Sequence, residues 1–164
     1  MALTDGLLET EIRKVDELVI NRDAKKWCNL PYPDHEDGCP NYGEKEVCPP
    51  NAPDIEEFID MDREKWFVVG KFDIGKFEER MGERHPDWSS KKKRCNLYWQ
   101  KSVKKKIRNV VEEFKASKDG EFVSTELPEA LGVQVFATAR NMGIPIKKDP
   151  DKYIYKISLV GRPP

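Results

Sequence analysis

Lys65-Trp66-Phe67-Val68-Val69-Gly70-Lys71-Phe72-Asp73 reads as a β-strand, because aromatic and β-branched residues crowd it and turn signals close it near Gly75. Ahead of it, Pro53 and Asp54 open a short helix that runs to about Met61. After it, Phe77 to Met81 form a helical turn that His85-Pro86 ends. Ser89 or Ser90 then caps what should be the longest helix, running to about Lys115. Leu97, Val103, Ile107, Val110, Val111 and Phe114 lie on or near one face of it.

Further out, residues 4–20 carry Leu7, Leu8, Ile12, Val15, Leu18 and Val19 at helical spacing, with Thr4 available as a cap, and predict an amphipathic helix. Residues 129–142 predict another, stopped by Gly143 with Pro145 beyond. Residues 153–160 read as a strand buried on one face and more deeply at its end. Helices interleaved with a few strands give a mixed α/β (α+β) fold: a single domain over residues 1–164, with a small sheet and several helices.

Residues 21–52 have no apolar period. They hold Cys28, Cys39 and Cys48 among Pro31, Pro33, Pro40, Pro49 and Pro50, with Gly38 and Gly43 free to take positive φ. A stiff, aperiodic loop of this kind is built to wrap a compact object, and a metal centre fits. A fourth thiol, Cys95, completes a four-ligand set for a cubane [4Fe-4S] cluster or a structural zinc.

Spacing favours the cluster. Structural zinc sites present close cysteine pairs, whereas residues 29–38 and 40–47 separate these thiols. Pro follows Cys39 and Cys48, as in the Cys-Pro ending of ferredoxin-type runs. Zinc, and cysteines without metal, stay open as alternatives. His35 and His85, the two histidines, could each replace Cys95, though a solvated loop histidine is the plainer reading of both. Lys93 and Arg94 beside Cys95, and a place near a helix N-terminus, favour its thiolate. Trp27, next to Cys28, would shield the centre from solvent.

Charge is uneven although the net is only −1. From Asp34 to Glu64 eleven acids face two bases, Lys45 and Arg63; from Ser89 to Arg108 nine bases meet no acid. The segment of residues 91–108, with Tyr98 and Trp99, would suit RNA or another anionic ligand. The plainer reading is a solvated lysine face paired with the acidic loop, with both rings in the core.

The apolar runs are too short to span a bilayer, and the first residues carry acids where a secretory signal carries bases, so a cytoplasmic protein with no membrane partner is expected. Four cysteines in that reducing compartment are better read as ligands or redox thiols than as disulfides. No Walker loop, dinucleotide fingerprint, zincin helix or nucleophile elbow occurs.

Gly38-Cys-Pro-Asn-Tyr-Gly43, Cys48-Pro-Pro-Asn51, Tyr98-Trp-Gln100 and Pro128-Glu-Ala-Leu-Gly-Val-Gln-Val-Phe-Ala-Thr-Ala-Arg-Asn-Met-Gly143 together resemble a family of metal-binding proteins of unknown function from methanogens and other anaerobes. The resemblance implies metal or iron–sulfur binding through Cys39 and Cys48, and by extension Cys28. Many members carry a further cysteine-rich stretch before the Pro-Glu-Ala segment. Residues 120–127 have no cysteine here, so one centre is expected.

Three functions follow. In the first, an iron–sulfur protein holds one [4Fe-4S] cluster through Cys28, Cys39, Cys48 and Cys95 for electron transfer to a redox partner or for redox and sulfur metabolism. In the second, an enzyme uses three cysteine ligands and an open iron on a small molecule or modified RNA. The third is a zinc-stabilised RNA-binding module.

Overall fold

The computed structural model describes residues 3–21, 53–147, 150 and 152–164. The expected cysteine loop lies outside them, Asn21 excepted. The fold is mixed α/β, with a four-stranded sheet in the order β1-β2-β4-β3 and five α-helices among the described residues. Strands are β1 (Leu8–Lys14), β2 (Lys65–Asp73), β3 (Val123–Thr125) and β4 (Tyr153–Gly161). Helices are α1 (Ile55–Phe58), α2 (Ile74–Arg84), α3 (Ser90–Lys93), α4 (Gln100–Ala116) and α5 (Val135–Asn141).

β2 is central in the sheet and buried along most of its length, as its unbroken apolar run requires. Val15 N donates to Lys65 O at 2.8 Å and Asp73 N to Leu7 O at 2.9 Å, so the numbering rises along β1 as it falls along β2 and the two are antiparallel. β3 and β4 are antiparallel too, with Ser124 opposite Val160.

The described residues gather into two compact units. Of the described residues, one comprises 3–13, 68–119, 146–147, 150 and 152–157, the other 14–21, 53–67, 120–145 and 158–164. The chain passes from one to the other within both β2 and β4.

In the first unit α2 and α4 each bury one stripe. Ile74, Phe77 and Met81 on α2, and Val103, Ile107 and Val111 on α4, recur at helical spacing and are buried. Asp73 caps α2 by accepting from Lys76 N at 2.9 Å. α4 lies so close to β2 that a Cβ on Gly70 would stand 2.5 Å from Ile107 Cδ1. In the second unit a Cβ on Gly161 would stand 2.9 Å from Ile59 Cγ2. That unit's core includes Ile55, Ile59, Phe67, Val133 and Leu159. Trp66 meets Phe122 edge-on at 5.8 Å.

Three expectations are overturned. Residues 4–20 are not a helix: Gly6 sits at φ +75° in a turn, β1 follows, and the chain then bends at Asp16 and reaches Ile20, which bridges Val133. The apolar spacing that suggested a helix serves an edge strand, whose backbone pairing with the buried β2 outweighs the weak local preference. Thr4 caps nothing there; it is buried, with its Oγ1 3.0 Å from Ser102 Oγ.

The long helix from Ser89 is broken into α3, a 3-10 turn at Asn96–Tyr98, and α4. Ser89 is the cap as expected, accepting from Lys92 N at 3.2 Å. Residues 129–142 are also broken: a 3-10 turn over Pro128–Leu131 ends on Gly132 at φ +92°, and α5 begins only at Val135. The intervening Val133 pairs with Ile20, and Gln134 N donates to Val19 O at 2.8 Å, bonds that a continuous helix would forbid. Gly143, at φ +82°, then stops α5, and Ile144 N closes back on Ala139 O at 3.0 Å.

Candidate functional site

Of the four candidate ligands the structure describes one. Cys28, Cys39 and Cys48 lie outside the described residues, as do His35 and Trp27. Cys95 is a free thiol, partly exposed, and lies in the first unit. It is not in the opening turns of a long helix. It sits at an extended backbone position (φ −57°, ψ 130°) leading into the 3-10 turn, where its side chain makes no capping bond.

The strap that carries Cys95, residues 94–99, owes its shape to Trp99. This indole is buried, stacks on Phe72 at 5.1 Å with 21° between the rings, and donates Nε1–H to Arg94 O at 3.0 Å. A helix running through residue 94 would need that carbonyl for its own ladder. The bulky ring anchored in the core therefore pulls the chain out of helix and leaves Cys95, partly exposed, between α3 and the 3-10 turn. Arg94 fastens the other end, donating to Pro150 O at 2.7 Å and lying 3.6 Å from Glu78, which also bonds Ser90 Oγ.

The two rings expected together in the core are separated. Trp99 is core, whereas Tyr98 is 43% exposed and Leu97 is 83% exposed. Tyr98 belongs instead to a surface aromatic cluster that the sequence reading missed. Trp88 lies 5.3 Å from Tyr98, and His85 stacks on Trp88 at 3.8 Å with 7° between planes. Lys92 Nζ stands 4.3 Å from the Trp88 ring centre. The signal was present in the spacing of His85, Trp88 and Tyr98 around the α3 turn, but only a broken helix brings them together.

The nine bases of residues 91–108 divide by role. Arg94 is engaged as described, Lys106 Nζ reaches Asp5 at 3.9 Å, and Lys93 packs along Gly82, 3.4 Å from where its Cβ would stand. Lys91, Lys92, Lys101, Lys105 and Arg108 are exposed, and Lys104 is half-buried.

Among the described residues no three His, Cys, Asp or Glu side chains come together as a metal site. A metal on Cys95 would draw its other ligands from outside them. The setting of Cys95 suits a thiolate ligand, because it is off the helix, partly accessible and free of a disulfide. No helix among the described residues is long and apolar enough to cross a membrane.

No family model, curated protein or solved structure matches this chain.

Proposed function

We propose that this is a small cytoplasmic iron–sulfur protein in which Cys28, Cys39, Cys48 and Cys95 hold one [4Fe-4S] cluster for electron exchange with a partner protein. The observation that carries this reading is the position of Cys95, a free and accessible thiol on a strap held at both ends by Trp99 and Arg94. A ligand held so firmly loses little freedom on binding metal. The spacing of the other three thiols, their proline-rich setting and the family resemblance support the same reading.

When bound, the cluster supplies a one-electron redox centre. The chain's own part is to fix the fourth thiol and to keep one wall of its surroundings rigid through the Phe72–Trp99 stack.

Purification without oxygen tests the reading. The expected product is brown, with about four irons and four sulfides per chain and a cluster signal on reduction. A colourless protein with one zinc would overturn it. Replacing Cys95 with Ser should abolish or severely destabilise the cluster; a stable cluster in that variant would favour the open-iron enzyme instead.

A further inference from the structure

We propose that the strap and the first turns of α4 form a binding surface for single-stranded nucleic acid, a role separate from any metal centre. The surface combines three features within one unit. The first is Tyr98, 43% exposed at the edge of the His85–Trp88–Tyr98 cluster, where it can receive an unstacked base. The second is Leu97, 83% exposed on the same 3-10 turn, an apolar contact for a base or sugar. The third is charge: Lys101 and Lys105, both exposed, stand on one face of α4 about 6 Å apart along its axis, and Lys92 leans on Trp88.

Rigidity strengthens the case. The turn is tied down by Tyr98 N to Cys95 O at 3.2 Å, by Trp99 N to Asn96 O at 3.2 Å and by the Trp99 indole. The backbone that presents Leu97 and Tyr98 is therefore fixed before any ligand arrives. Cations alone would make a diffuse polyanion patch, whereas rings interleaved with cations are what bases and phosphates jointly require. A duplex, with its bases stacked inside, offers nothing for Tyr98 and Leu97 to take up.

The test is fluorescence anisotropy on the full chain, purified without oxygen, with labelled dodecamers of uridine and of deoxyuridine, which differ only in the sugar, and with a duplex RNA of equal charge. Both single strands should bind, more tightly than the duplex, and the tighter of the two identifies the sugar that the surface prefers. Affinity should fall steeply with salt. Lys101→Ala with Lys105→Ala should reduce the log–log salt slope by about 1.4, the share of two phosphate contacts on a single strand.

Tyr98→Ala should weaken binding roughly tenfold with the slope unchanged, the effect of one lost stacking contact, while Tyr98→Phe retains it. No binding, binding that ignores these substitutions, or displacement by polyglutamate as readily as by polyuridine would each overturn the proposal. The last would identify a site for acidic protein.

Discussion

The indole of Trp99 lies on the ring of Phe72, 5.1 Å between centres, and through this pair a residue of β2 decides where the chain leaves the helical path and where Cys95 emerges. Trp99→Phe keeps the stack but strips Arg94 O of its donor, and should cost about 1–3 kcal/mol in urea unfolding. Trp99→Ala also opens a cavity and should cost about 3–5 kcal/mol. Both variants should speed the reaction of Cys95 with a thiol reagent in a background where Cys28, Cys39 and Cys48 are Ser.

Gly70 and Ile107 make a second such pair. A methyl at position 70 meets the Ile107 side chain at 2.5 Å, so Gly70→Ala should destabilise by about 1–3 kcal/mol through overpacking. Adding Ile107→Ala, which removes the colliding atoms, should make the double variant more stable than the sum of the single costs predicts. Thermal unfolding of all four forms closes the cycle.

Thr138 holds the second unit by one hydroxyl. Its buried Oγ1 accepts from Val19 N at 3.0 Å and donates to Gln134 O at 2.8 Å. Thr138→Val has the same shape and leaves the Val19 amide without that acceptor, so a loss of about 1–3 kcal/mol is expected; Thr138→Ser should lose less. Amide exchange at Val19 reads the same contact directly, and should accelerate in the Val variant alone.

Lys152 responds to pH. A side-chain hydrogen bond with Tyr153, then the charges of Tyr153 and Asp73, hold its ammonium protonated above the usual 10.5. A raised folded pKa means that its small stabilising share is complete below 10.5 and is lost as pH climbs through the folded value. Tyr153→Phe should bring the Lys152 titration, followed by NMR of its side chain, down toward that of the other surface lysines. No movement would remove Tyr153 as the cause.

What could be read from the chain before the fold was known follows a physical line. β2 was legible from a nearly unbroken run of branched and aromatic residues, and β4 from one apolar face that becomes fully buried at its end. The cap at Ser89 and the stop at Gly143 were legible because they are local chemistry. β1 was not, since its identity rests on pairing with a strand some fifty residues away in sequence rather than on its own pattern. The breaks at residues 94–99 and 132–134 were hidden for the same reason: the Trp99–Phe72 stack and the Val133–Ile20 bridge are long-range contacts, and helix periodicity carries no trace of them. Of the candidate site, Cys95 and the cations could be named in advance, but the division between buried Trp99 and exposed Tyr98 depends on which way the broken helix turns.

Each compact unit is stitched from three separate stretches of sequence, and each takes part of β4. During synthesis, therefore, neither is complete until residues 153–161 have left the ribosome, and β2 must wait for the strand that pairs its second edge. No single proteolytic cut or gene fusion point releases either unit whole.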